Sequence, residues 1–201
     1  MVSKNFDMLL AGVGGQGIIL AGQIIMNAAL RQDNTVYGFE EHGMARRGGA
    51  VATHIRFGEG IYTPLIPLGS GKLLAAFEPS EALRHLHFMS PEATIILNTR
   101  PVMPVSVFAG KSSYPDIKKI VDVIGKNCKE VHYFDATSLA KEAGNPIAMN
   151  VVMLGAICAS DVAPLPKKVL EEVIISRSPS YSRDINMKAF EKGFEGFEDS
   201  G

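Results

Sequence analysis

A three-layer α/β/α domain, with a Rossmann-like start and a mixed, mostly parallel sheet, is what this sequence of 201 residues predicts. Three observations lead there. Residues 7–30 read as strand, glycine loop and helix in immediate succession. The short runs 73–77 (LLAAF) and 94–98 (TIILN) have the apolar character of strands buried on both faces, with a helical stretch between them, as in a parallel sheet. The run 50–57 (AVATHIRF) alternates, and Gly58-Glu59-Gly60 turns it back into 61–63, a hairpin that adds an antiparallel pair.

Each element has its own justification. Residues 7–11 (DMLLA) suffice for one short strand, and Gly12, Val13, Gly14, Gly15, Gln16 and Gly17 follow at once. Ile18–Leu30 then carries apolar residues at helical spacing. Gly12, Gly14 and Gly17 fit the G-x-G-x-x-G template, in the strand-to-helix context that gives it meaning. In that template Gly12 permits a tight turn, Gly14 and Gly15 allow close approach to the backbone, and Gly17 lets the helix pack near the strand. The free N–H groups of the helix's first turn make an anion site worth about 0.3–1 kcal/mol per charge. A plain tight turn is the competing reading. Gln16 is an uncharged amide that can bond a partner of either polarity, which does not suit a pyrophosphate.

A strand over 35–39 closes the opening βαβ unit. Glu40 and Glu41 follow it, where a dinucleotide site needs an acid. Residues 40–49 (EEHGMARRGG) are too polar for core. His42, Arg46 and Arg47 lie there, and two Arg forks can hold a carboxylate or phosphate. A solvated loop with Arg46 and Arg47 paired to Glu40 and Glu41 is the equal alternative. In the strand over 50–57, His54 reads as a half-exposed histidine. Ser80 is the expected cap of a helix over 81–89, with Leu83 and Leu86 inward and Arg84, His85 and His87 outward. Asn98, Thr99 and Arg100 end the strand 94–98. If it is parallel, they join the ligand-binding edge.

Residues 102–113 have no period and read as loop or edge strand, since Pro101 and Pro104 flank and interrupt them. A helix over 116–124, a strand over 131–134, and the helix Ala136–Ala143 capped by Gly144 come next. The stretch 147–159 (IAMNVVMLGAICA) is apolar nearly all round, so it is buried against the sheet or a partner, and its Asn150 needs a hydrogen-bond partner. Helices over 167–176 and 182–194 precede a tail expected to be loose. The whole, 1–201, reads as a single domain with its core at about 7–194.

Composition removes several function classes. A formal net charge of −1 argues against nucleic acid. No apolar run reaches the ~18 residues that span a bilayer, and no signal-peptide pattern opens the chain, so the expected setting is cytoplasmic. Two cysteines, Cys128 and Cys158, are too few to ligate an iron–sulfur cluster alone. There is no Walker lysine, no G-x-S-x-G elbow and no H-x-x-x-H pair. The profile is that of a docking or binding subunit. The rival class is a stand-alone Rossmann-type dehydrogenase binding NAD(P) or FAD, which Gly12, Gly14, Gly17 and Glu40 support.

AGVGGQG, EEHGMARRGG, VATHIRFG with YTPLI, LLAAFEPSEALRHLHFMSP, NTRP, NPIAMNVVMLGAI, PLPKKVLEEVI and NMKAFEKG occur in that order from about Met8 to about Phe190. Together they resemble the gamma-type domain of thiamine-dependent 2-oxoacid:ferredoxin oxidoreductases, in particular the indolepyruvate type. Arg46 is a departure, since Gln is more usual there. The resemblance implies an oxidoreductase complex that decarboxylates a 2-oxoacid on thiamine diphosphate with Mg. It passes two electrons through iron–sulfur clusters to ferredoxin and releases the acyl group as a coenzyme A thioester. It implies that a large alpha subunit carries the thiamine diphosphate and the clusters, and that this chain is inactive alone. Gly12, Gly14, Gly15, Gln16, Gly17, Arg46 and Arg47, with His42, Asn98, Thr99 and Arg100, are the candidate face for coenzyme A or the partner.

Overall fold

The computed structural model describes residues 5–43 and 48–200. In chain order they form β1 (Asn5–Val13), α1 (Ile18–Leu30), β2 (Val36–His42), β3 (Ala50–Gly58), β4 (Gly71–Ala76), α2 (Pro79–His85), β5 (Met89–Asn98), α3 (Val105–Phe108), α4 (Ile117–Gly125), β6 (Glu130–Phe134), α5 (Ala136–Ala143), α6 (Met149–Ala159), α7 (Lys167–Arg177) and α8 (Arg183–Glu198). The strands make one sheet in the order β2-β3-β1-β4-β5-β6. β4, β5 and β6 extend β1 in parallel, while β3 runs antiparallel to both of its neighbours, β1 and β2. The mixed, mostly parallel sheet expected from the sequence is therefore present.

Strand alternation sorts the core into two layers. Met8, Leu10, Leu73 and Ala75 face α1 and the helices after β6, whereas Leu9, Ala11, Leu74 and Ala76 face α2 and α4. Both faces are covered, which is why β1 is buried from Phe6 to Val13.

The hairpin expected between 50–57 and 61–63 does not form. β3 already has β1 on one edge and β2 on the other, so no free edge remains for residues 61–63. The antiparallel turn is instead β2 to β3. Residues 61–66 cross the sheet face and are tied down by side chains of β3. The Arg56 guanidinium donates to the Thr63 and Leu65 carbonyls at 3.0 and 3.1 Å, and the Ile66 N–H donates to His54 Nδ1 at 3.4 Å. His54 is consequently fully buried rather than half-exposed. Arg56 is buried with it, in a two-pronged pair with Asp7 at 2.8 and 3.2 Å.

Other boundaries shift for local reasons. Glu78, not Ser80, caps α2, accepting from the Ser80 and Glu81 N–H groups. His85 is buried, because its ring turns back to the Glu81 carbonyl at 2.9 Å. Residues 102–113 contain the single turn α3. The tail is not loose up to residue 200, since α8 runs to Glu198 and the Ser200 hydroxyl reaches the Phe197 carbonyl.

Candidate functional site

The glycine loop leaves β1 at the sheet's carboxyl edge, and its residues do different work. Gly12 is still strand, not turn. A side chain there would strike Gln16 Oε1, the Ile18 side chain and Phe77 Cβ, all within 2.9 Å. Gly17 is left-handed, at φ 75°, and starts α1. A methyl on it would meet the amide of Asn150, whose Nδ2 lies 3.5 Å from the Gly17 carbonyl. That is the partner Asn150 needs within an apolar helix.

Gln16 turns inward as a strut. Its Oε1 accepts from the Val13 N–H at 2.8 Å and its Nε2 donates to the Phe77 carbonyl at 2.9 Å. The same carbonyl accepts from Asn98 Nδ2 at 2.9 Å. The Gln16 amide therefore closes the crevice between β1 and β4, where the strand order reverses and an open α/β sheet usually receives a ligand, while Asn98 ties the end of β4 to β5.

The second loop joins the first. The Gly14 N–H donates to the Gly49 carbonyl at 2.8 Å, and the Gly48 N–H donates to the Gly14 carbonyl at 3.2 Å. Both loops thus lie on one edge as far as Gly43 and Gly48–Gly49. Arg46 and Arg47 lie outside the described residues. His42 ends β2, half-exposed and 3.6 Å from Glu40. Gly15 in the first loop and Gly48 in the second are left open. Gly15 has φ 104° and Gly48 φ 72°, and no atom lies within 4 Å of where either Cβ would be.

The edge continues past β5. Asn98 Oδ1 accepts from the Arg100 and Ala136 N–H groups at 3.3 and 3.1 Å, and the Thr99 N–H donates to the Phe134 carbonyl at 2.9 Å. Asn98 and Thr99 are structural ties. Arg100 is exposed, 4.0 Å from Asp135, and is the cation of this edge among the residues brought beside Gly15. A hollow of about 280 Å³ runs from Gly15 and Gln16 to Arg100, Val102 and Ile147. A second of about 430 Å³ lies along Gly15 and Leu20, and a third of about 480 Å³ between Gly48, Glu78 and Tyr114. In the third, Tyr114 donates to Glu78, and burial beside that carboxylate pushes the phenol up.

Sequence reasoning missed the apolar rim. Leu20, Val102, Met103, Val105, Phe108 and Ile147 are all exposed, with Val105, Phe108 and Ile147 close to fully so. The available signal was the aperiodic but apolar run 102–108. Burial raises the Cys128 thiol and pushes that of Cys158 up to about 11. Among the described residues no three His, Cys, Asp or Glu side chains converge as a metal site, and no helix is long and apolar enough to cross a membrane.

Residues 7–196 match the family model described as pyruvate ferredoxin/flavodoxin oxidoreductase. The chain is 40% identical over 195 residues, 94% of its own length and 95% of the other's, to indolepyruvate oxidoreductase subunit IorB of Thermococcus kodakarensis. Its fold resembles the gamma subunit of a keto/oxoacid ferredoxin oxidoreductase from Geobacter sulfurreducens, with TM-score 0.69 and 24% identity over 96% of this chain and 99% of that one. It also resembles part of 2-oxoglutarate:ferredoxin oxidoreductase from Magnetococcus marinus, with TM-score 0.75 and 22% identity, over 98% of this chain but 32% of the longer one.

Proposed function

This chain belongs to the pyruvate ferredoxin/flavodoxin oxidoreductase family, and from that premise we propose that it is the small subunit of a 2-oxoacid:ferredoxin oxidoreductase of the indolepyruvate type. The observation that carries the reading is the 40% identity to an indolepyruvate oxidoreductase subunit over nearly the whole of both chains. The reaction of the complex is then oxidative decarboxylation of an arylpyruvate. Carbon dioxide is lost, the acyl group leaves as a coenzyme A thioester, and two electrons go to ferredoxin.

Cys128 and Cys158 alone are too few to ligate an iron–sulfur cluster, which supports a reading in which thiamine diphosphate, magnesium and the clusters sit on the large alpha subunit, through which ferredoxin is also reached. The edge around Gly15 is the face offered to coenzyme A or to that subunit. Open backbone at Gly15, the first turn of α1 and Arg100 suit a phosphate, while the apolar rim suits a polypeptide. Arg46 and Arg47 add two cations to the loop in sequence. A cytoplasmic setting follows from the same reading.

The dinucleotide-dehydrogenase reading meets two obstacles. The Gln16 amide fills the floor of the turn that a pyrophosphate would approach. β3 separates β2 from β1, so Glu40 and Glu41 stand a strand away from the glycine loop.

The test is reconstitution. The isolated chain is expected neither to decarboxylate indolepyruvate or phenylpyruvate nor to reduce a viologen dye. Purified with its large partner, it is expected to support coenzyme A-dependent turnover of arylpyruvates ahead of pyruvate and 2-oxoglutarate. Turnover by the chain alone, or micromolar binding of NADH or FAD to it, overturns the reading.

A further inference from the structure

β2 ends the sheet, with β3 on its inner side and no strand on its outer side among the described residues. The ladder fixes which backbone groups face outward. The Gly58 N–H donates to the Thr35 carbonyl at 3.0 Å, and the Gly43 N–H donates to the Ala50 carbonyl at 2.8 Å. Antiparallel bonding alternates along a strand, so Tyr37, Phe39 and Glu41 direct their backbone groups to β3. Val36, Gly38, Glu40 and His42 therefore turn their N–H and C=O groups away from the sheet. Such a row is a template for another strand unless proline, lysine, a bulge or a covering element blunts it. β2 contains neither proline nor lysine, and its register with β3 is continuous from Val36 to His42. At the opposite end of the sheet β6 has five residues and opens on the charged pair Lys129 and Glu130.

The strand is also self-complementary. Set antiparallel to a second copy about a two-fold axis through Phe39, it matches Val36 with the copy's His42, Gly38 with its Glu40 and Tyr37 with its Glu41. The first two matches join outward-facing residues, as hydrogen-bonded pairs require, and all seven residues of β2 are used. Phe39 meets its own copy in a non-bonded pair, where side chains come closest. No acid stands directly opposite another. Tyr37 brings a phenol donor to the Glu41 carboxylate, and the two Glu40 side chains are only diagonal neighbours, each with His42 of its own strand at 3.6 Å. An axis through Glu40 would oppose two carboxylates, and one through Gly38 would leave Glu41 and His42 without a partner in β2. Apolar surface flanks the chosen axis. Phe39 is 40% exposed, and Leu65, 43% exposed, sits on the crossing segment that Arg56 and His54 hold against the same face.

We propose that β2 is the pairing surface for a second copy of this chain, which joins two sheets into one about a two-fold axis at Phe39. β1 and β2 run in the same direction, since both are antiparallel to β3. The two-fold therefore sends the two glycine-loop edges to opposite ends of the joined sheet and leaves each free. The pairing does not depend on the functional reading above, because that edge lies at the strand ends and not along β2.

The experiment is sedimentation equilibrium of the full chain, combined with disulfide trapping. The native chain is expected to sediment as a concentration-dependent dimer. Glu40→Pro removes an outward N–H and no bond to β3, so the variant should keep the native circular-dichroism spectrum while its dimer becomes at least about tenfold weaker. Phe39→Cys should give a covalent dimer under mild oxidation, with mass spectrometry locating the bridge between the two copies of position 39. Tyr181→Cys, 86% exposed between α7 and α8, should give none. A native chain that stays monomeric, a dimer as tight in a folded Glu40→Pro variant, or a bridge from position 39 to Cys128 or Cys158 would each overturn the pairing. So would a bridge from position 39 to the large subunit in the assembled complex, which would assign the open edge to that partner instead.

Discussion

At the scale of single residues, the glycine loop shows how a ligand-binding template becomes a packed corner. Gly12 and Gly17 are glycines because Phe77, Gln16 and Asn150 occupy the space a Cβ would need, not because a phosphate must approach. Gly15 faces open space, and it supplies the cleanest test of the face. Gly15→Ala adds a methyl to open space at a positive φ, as Gly60→Ala does at φ 72° on the far side of β3. Both are expected to lose about 1–2 kcal/mol of folding stability from backbone strain. Only Gly15→Ala should also weaken assembly with the large subunit or raise the apparent KM for coenzyme A. Equal behaviour of the two variants, by titration and steady-state assay, removes function from this edge. The buried pair behaves differently. Asp7→Ala strands a guanidinium in the interior and is expected to destabilise by about 3–5 kcal/mol in urea unfolding. Replacing both partners with apolar residues of similar volume should restore much of the loss. Glycine spacing and the need of Asn150 for a partner were readable in the sequence. The fully enclosed state of His54 was not, because alternation in β3 cannot reveal that both faces are covered.

At the scale of elements, α6, with nine of its eleven residues buried, makes a very close contact with α8. α6 and α8 cross backbone to backbone at Gly155 and Gly193. A methyl on Gly155 would fall on the Phe190 carbonyl oxygen, and one on Gly193 on that of Val152. No side chain can yield there, so Gly155→Ala or Gly193→Ala is expected to cost at least about 1–3 kcal/mol and to lower the melting temperature markedly. Gly125→Ala, at a glycine with open space around it, provides the comparison. The longer helices and the parallel strands β4 to β6 were legible because period and punctuation are local properties, whereas the single turn α3 was not, lying in a run read as loop or edge strand. α5 is legible to the residue, since Asp135 and Gly144 mark its two ends. The hairpin misleads for a non-local reason. Residues 61–63 have strand composition, but whether a strand finds an edge depends on what β1 and β2 have already taken. The exposed apolar side chains of α3 and Ile147 were illegible for a related reason, since local composition does not say which apolar groups the rest of the chain leaves uncovered.

At the scale of the whole molecule, the buried histidines set the acid limit of stability. Burial lowers His54 and His85 below their ordinary value of 6.5, so the unfolded chain binds more protons than the native one just below that value. Their contribution is complete above pH 6.5 and is lost as the pH falls, whereas Glu81, raised by burial, opposes this at lower pH. Thermal melts are therefore expected to hold steady from pH 8 to 7 and decline towards pH 5.5, with a smaller decline in His85→Gln. The insertion of antiparallel β3 between β1 and β2 also bears on how the molecule is made. β1 leaves the ribosome before β2 and β3, yet its glycine loop is completed only by Gly48 and Gly49, and its ladder only by residues up to Gly58. The glycine-loop edge is thus an assembly of high contact order that no early local structure can preform, and loop closure makes such pairing slow. The nascent chain must carry an apolar, unpaired β1 through the synthesis of the next forty or so residues. In that interval, rather than in the finished fold, the chain is most exposed to aggregation and most in need of a chaperone.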